Sequence, residues 1–183
     1  MRSTGLFADP WRIFTALSLH SGPPHLISNL IFGSLFGFLV AASLGGGISW
    51  LAIVLAGGMG NFLNGLIRGP ASSSIGASTA VFAAVGILSG CEWRRRVLLR
   101  QRKVRRAAPF VMASLILGYL GMGGENTDVA AHVLGLIAGF GVGVMCARIR
   151  QETIGRKRVQ LVSGGLALLL MVGAWAAGFV LAP

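Results

Sequence analysis

Four polar side chains in otherwise apolar surroundings are suited to acyl-transfer chemistry: Ser78, His132, His25 and Asn29. Ser78 lies in Ser-Ile-Gly-Ala-Ser-Thr-Ala-Val-Phe (Ser74–Phe82), where Gly76 and Ser78 give Gly-x-Ser at the mouth of an apolar segment. A serine at a helix N-terminus has free backbone N–H groups beside it, and such donors stabilise an oxyanion. By itself the tripeptide reads more simply as a serine that packs helices or bonds to a backbone carbonyl. His132 lies in Ala-His-Val-Leu-Gly-Leu-Ile-Ala-Gly (Ala131–Gly139). An ionisable group inside an apolar span is costly, and a serine nucleophile needs a base within hydrogen-bond reach. A histidine satisfied by backbone at a helix entrance is an equal reading.

His25 and Asn29 stand four residues apart, so one helix face carries both. Both donate hydrogen bonds and could line an oxyanion hole. The competing reading is an interfacial cap after Pro23-Pro24. Asp128, four residues before His132, suits a helix start as well as an orienting role. A Ser–His dyad is therefore the simpler arrangement. Gly135 and Gly139 share the His132 face and form a small-xxx-small pattern, which lets another helix approach closely. If that helix carries Ser78, imidazole and hydroxyl meet.

The elements that must position these groups follow from hydropathy. Of 183 residues, 54% are hydrophobic and 11% charged, with 28 glycines. A soluble domain carries about 25% charged residues, so the fold class is an all-α polytopic membrane protein. The apolar segments are about Pro24–Leu44, Ile48–Ile67, Ile75–Gly90, Ala107–Gly121, Val129–Ala147 and Val159–Leu181. A span needs roughly 20 residues. The third segment is short and is expected to begin below the membrane surface; the fourth has the least certain ends.

Net charge is +11, but eight of the 16 basic residues fall between Arg94 and Arg106 and five between Arg148 and Arg158. Clusters between apolar runs mark cytoplasmic loops, not a nucleic-acid surface. The opposite side carries Arg2, Arg12, Arg68, Asp9, Glu125 and Asp128, with both termini outside. The first, third and fifth segments then run from outside to inside, and their opening turns share one depth. Those turns hold His25 and Asn29, Ser78, and His132. Cys91 and Cys146 adjoin the basic clusters, where thiols stay reduced. Neither a disulfide, a metal site nor a cofactor is expected.

The constellation resembles the rhomboid family of intramembrane serine proteases over about Trp11 to Ala147. Trp11-Arg12 resembles the family's outer-loop Trp-Arg pair. His20, His25 and Asn29 resemble its loop histidine and His-x-x-x-Asn. Gly76-Ala77-Ser78 resembles its Gly-x-Ser, and Ala131-His132 with Gly135 and Gly139 its histidine helix. The resemblance implies a rhomboid-like helical bundle of about six transmembrane helices. It implies a Ser78–His132 dyad cleaving membrane-anchored protein substrates near the outer face, with the oxyanion held by His25, Asn29 and the Ser78 backbone. A bacterial inner membrane is the expected location.

The chain departs from the family at Thr79, where glycine is frequent; the extra bulk is tolerable but could narrow the site. It departs at Phe82, where tyrosine often stacks on the histidine. The family's usual first span is lacking before Trp11, and an extra C-terminal span follows. The expected organisation is a rhomboid-like domain over 1–147, with an outer loop over 1–23, then a basic loop and last helix over 148–183. An N-terminally incomplete sequence is the expected reason, and the alternative is that Val159–Leu181 fills the vacant place. An inactive rhomboid-like protein that binds membrane clients is the competing function. A small transporter or channel subunit is a second alternative.

Overall fold

The computed structural model describes residues 9–68, 75–121 and 128–181. The outer linker 69–74 and the loop 122–127 with Glu125 lie outside the described residues, as does Arg2. The described residues form α1 (Arg12–Thr15), a 3₁₀ turn (Ala16–Ser18), α2 (Pro23–Leu44), α3 (Gly46–Arg68), α4 (Ser78–Leu98), α5 (Lys103–Leu120), α6 (Val129–Cys146), α7 (Gln151–Ile154) and α8 (Lys157–Leu181), with no strand among them.

The six expected segments correspond to α2 through α6 and α8. By length and composition, α2, α3, α6 and α8 are apolar enough to cross a membrane. The third segment differs from expectation at its far end. Hydropathy ends it at Gly90, but α4 continues to Leu98 and has 21 residues. At about 1.5 Å per residue that is about 31 Å, but Glu92 and Arg94–Arg96 occupy the added turns, so the apolar part stays short. The extension is held by surface charge pairing: Glu92 accepts from Arg95 Nε at 2.8 Å and from Arg96 Nε at 2.7 Å. Such i,i+3 and i,i+4 pairs support a helix where apolar packing ends. The fourth helix likewise begins four residues earlier than its apolar segment, at Lys103.

α4 is the hub of the bundle and packs against α2, α3, α5 and α6. Val81, Ala83, Ala84, Val85 and Ile87 on it are buried. The surrounding helices turn large apolar side chains outward, as at Phe38, Leu115 and Leu168. Lipid is as apolar as leucine, so helices in a membrane associate through close packing and hydrogen bonds. The α4–α6 contact has that form. A side chain at Gly135, Gly139 or Gly143 would strike the backbone carbonyls of Thr79, Ala83 and Ile87, each one turn further along α4. In return, side chains at Gly86 and Gly90 would strike the carbonyls of Leu136 and Phe140. The two backbones are in contact over three turns.

α8 packs along α3 and against α1. Its first turn is fixed by Gln160, which donates to Leu44 O at 3.0 Å and to Ile154 O at 2.8 Å and accepts from Ile48 N at 3.1 Å. Those bonds staple α8 to the α2–α3 connection, where Gly45 takes φ +75°. At its other end, Trp175 Nε1 donates to Ser18 Oγ at 3.0 Å, and the Trp11 indole lies against Gly178.

Candidate active site

Ser78 is the first residue of α4, and Ala77 is its N-cap. The first backbone N–H groups of a helix have no acceptor within it. The turn leading to them depends on Gly76, whose φ of +131° is disfavoured for a residue with a side chain. Gly76 N donates to Ala16 O at 2.9 Å, which anchors this turn on the 3₁₀ segment.

His132 is buried in the first turns of α6, facing Ser78 across the glycine contact. Ser78 Oγ and His132 Nε2 are 2.8 Å apart. His132 Nδ1 is 2.9 Å from the carbonyl oxygen of Gly121. A carbonyl only accepts, so Nδ1 carries the proton. Nε2 is then the acceptor and Ser78 Oγ–H donates to it. This is the tautomer a general base for serine requires. Phe82 packs against the imidazole with ring centroids 4.6 Å apart and planes 34° apart, so it fills the place of a stacking tyrosine without the hydroxyl.

Asp128 has other work. It caps α6 by accepting from Ala131 N at 3.1 Å, accepts from Asn64 Nδ2 at 2.7 Å, and pairs with Arg68 at 3.3 Å. These contacts tie the opening of α6 to the end of α3. The atom that orients the imidazole is the Gly121 carbonyl.

His25 lies on the other side of Ser78. A Cβ on Gly76 would come within 2.8 Å of His25 Nε2 and 3.4 Å of Ser78 Oγ, so imidazole and hydroxyl flank one small space. His25 Nδ1 is 3.0 Å from Ser21 Oγ and accepts from Ser21 N at 3.4 Å. A backbone N–H can only donate, so the neutral ring carries its proton on Nε2, the nitrogen beside Gly76. Asn29, one turn on, is buried, and its Nδ2 has no hydrogen-bond partner among the described residues. A buried donor left unpaired is costly. His20 meets His25 edge-on at 5.4 Å between centroids, and its buried Nε2 also has no partner among the described residues.

The remaining sequence candidates support this site from a distance. Trp11 caps α1, and Arg12 pairs with Asp9 at 2.9 Å. Asn61 Nδ2 donates to Ile13 O at 2.9 Å and pins this segment to α3. Gly135 and Gly139 admit α4. Thr79 does not narrow the site: its methyl fills the joint between Gly60 of α3 and Gly135 of α6. Cys91 and Cys146 are free, and no His/Cys/Asp/Glu group suited to a metal occurs among the described residues.

An all-helical membrane bundle with a serine and a histidine joined across two helix mouths defines a class. Comparison with known proteins identifies it. The Rhomboid domain family model matches residues 8–149, and the chain belongs to the rhomboid family. It is 30% identical over 166 residues to Rhomboid protease GluP of Bacillus subtilis, covering 89% of this chain and 31% of that protein. It is 29% identical over 140 residues to Rhomboid-like protease 1 of Toxoplasma gondii, covering 74% and 46%. Putative rhomboid protease YdcA of Bacillus subtilis is 24% identical over 142 residues, covering 78% and 70%. The chain thus spans less than half the length of the first two relatives. No solved structure gives a significant match.

Proposed function

We propose that this chain is an intramembrane serine endopeptidase that hydrolyses peptide bonds of membrane-anchored proteins. The observation that carries the reading is the 2.8 Å Ser78 Oγ–His132 Nε2 contact, with His132 Nδ1 committed to Gly121 O. Ser78 Oγ attacks the scissile carbonyl carbon while its proton passes to His132 Nε2. The carbonyl oxygen becomes an oxyanion, held by the Ser78 N–H, His25 Nε2–H and Asn29 Nδ2–H. His132 then gives the proton to the leaving amine, and the C–N bond breaks. Water, deprotonated by the same nitrogen, releases the acyl group and restores Ser78.

Charge placement supports a topology for the reaction. The basic turns at Arg94–Arg106 and Arg148–Arg158 face the cytoplasm, and the dyad opens toward the other side. A bacterial inner membrane fits this arrangement. Substrates approach within the bilayer, and neither metal nor cofactor has a role.

A fluorophosphonate probe on membranes containing the protein tests the reading. Wild type is expected to label, and Ser78→Ala and His132→Ala to lose labelling. Labelling that survives Ser78→Ala removes Ser78 as nucleophile. A folded wild type that neither labels nor cleaves points to the client-binding alternative.

A further inference from the structure

The turn between α4 and α5 carries more than topological charge. Arg100, Gln101, Arg102 and Arg105 line a cleft of ≈ 460 Å³ on the basic face of the bundle. Three neighbouring arginines are already engaged. Arg95 and Arg96 are held by Glu92, Arg96 Nη1 also donates to Arg105 O at 2.6 Å, and Arg106 Nε donates to Gln101 O at 2.7 Å. These bonds, with Gln101 N donating to Arg96 O at 3.1 Å, fix the backbone of the turn. The three arginines that line the cleft have no carboxylate partner among the described residues. They stand on a turn whose backbone these bonds fix, so an anion binding there has only their side chains to order.

Exposed apolar side chains flank the lining residues in sequence. Leu98 is 61% exposed, Leu99 59% and Val104 84%. A soluble anion would leave those side chains in water. A lipid covers them with its acyl chains while its phosphate meets the guanidinium forks, which match phosphate geometry. In the second basic cluster Arg150 is paired with Glu152 at 3.0 Å.

We infer that the α4–α5 turn is a discrete binding site for the phosphate headgroup of an anionic phospholipid in the leaflet on the basic face. The site is independent of the dyad, so loss of protease activity would leave it intact.

The test uses the full chain in neutral maltoside micelles, titrated with phosphatidylglycerol or phosphatidylcholine and read by native mass spectrometry. Phosphatidylglycerol is expected to bind about tenfold or more tighter than phosphatidylcholine, given the attraction of several arginines for anionic lipid. The triple variant R100Q/R102Q/R105Q should lose about tenfold or more of that affinity, while R156Q/K157Q/R158Q, with the same charge change, stays within about twofold. Equal losses in both variants would reduce the site to diffuse charge and overturn the proposal. So would a wild type with no lipid preference, an arm that needs no variant to fold. Displacement of bound phosphatidylglycerol by equimolar glycerol phosphate would assign the cleft to a soluble anion instead.

Discussion

His132 Nδ1 donates to the carbonyl oxygen of Gly121 at 2.9 Å, so the imidazole is oriented by backbone at the end of α5. Gly121 has ordinary φ of −95°, and its lack of a side chain matters for space. A Cβ there would lie 2.7 Å from Leu117 O and 2.9 Å from Phe82 Cζ. Gly121→Ala must therefore displace either the carbonyl that holds His132 or the phenyl that packs on it. The expected result is a kcat lowered about tenfold, or about 1.4 kcal/mol in the barrier, with KM nearly unchanged. Steady-state cleavage of a reporter substrate checks it. An unchanged kcat would mean that His132 needs no such support.

His25 offers a second tautomer argument. Its Nδ1 accepts from Ser21, which leaves Nε2–H as the donor beside Ser78. Removing an oxyanion donor lowers kcat about 10²–10³-fold, so His25→Ala and Asn29→Ala are expected in that range. Ser21→Ala keeps the backbone donor and loses the hydroxyl, so the expected loss is smaller, about threefold to tenfold. Ser21→Thr should restore the rate. If Ser21→Ala and Ser21→Thr are equally impaired, the hydroxyl has no part in setting the ring.

The residues that met across the bundle were legible because their side chains carry the signal. Ser78, His132 and the Gly135–Gly139 face each announce a chemical type, and charge clusters supplied the common direction of their helices. Gly121 was not legible, because the group it supplies is a carbonyl that every residue has. Ser21 hid in a turn, where a serine is unremarked. Asn64 and Gln160 were absorbed into apolar segments, although each is a polar group that needs partners: Gln160 finds them at both atoms, and Asn64 at Nδ2. The far end of α4 was missed because hydropathy sees where a helix leaves the apolar layer, not where it stops. Which way Thr79 turns was not legible either, because its face depends on which helix lies beside α4.

The backbone contact between α4 and α6 sets the distance from Ser78 to His132, so it can be tested by one methyl group. At Gly139 that methyl would strike the Ala83 carbonyl, which cannot rotate away. Gly139→Ala is expected to lower stability by about 1–3 kcal/mol through overpacking and to separate the dyad. Gly141, two residues on, has nothing within 4 Å of the same added carbon. Gly141→Ala should be neutral or raise stability by up to about 1 kcal/mol from helix propensity. Thermal unfolding in detergent, with probe labelling of each variant, separates the two. Equal behaviour would sink the close-contact account.

Asp128 positions His132 without being the atom that orients it. Its carboxylate caps α6 at Ala131 N and takes the amide of Asn64, whose other polar atom, Oδ1, is buried without a partner among the described residues. Asp128→Ala therefore removes a cap, worth about 1 kcal/mol, and strands the buried Asn64 amide, which adds about 1–3 kcal/mol. Its pair with half-exposed Arg68 contributes little beside these. Asp128→Asn keeps an oxygen that can accept from Ala131 N, so it should recover much of the loss. Both variants belong in a Ser78→Ala background as well, where no catalysis can confuse the reading. The stability loss should persist there, because it arises from the joint between α3 and α6. If Asp128→Ala unfolds at the wild-type temperature while kcat falls, the carboxylate acts on His132 directly, and a triad replaces the dyad.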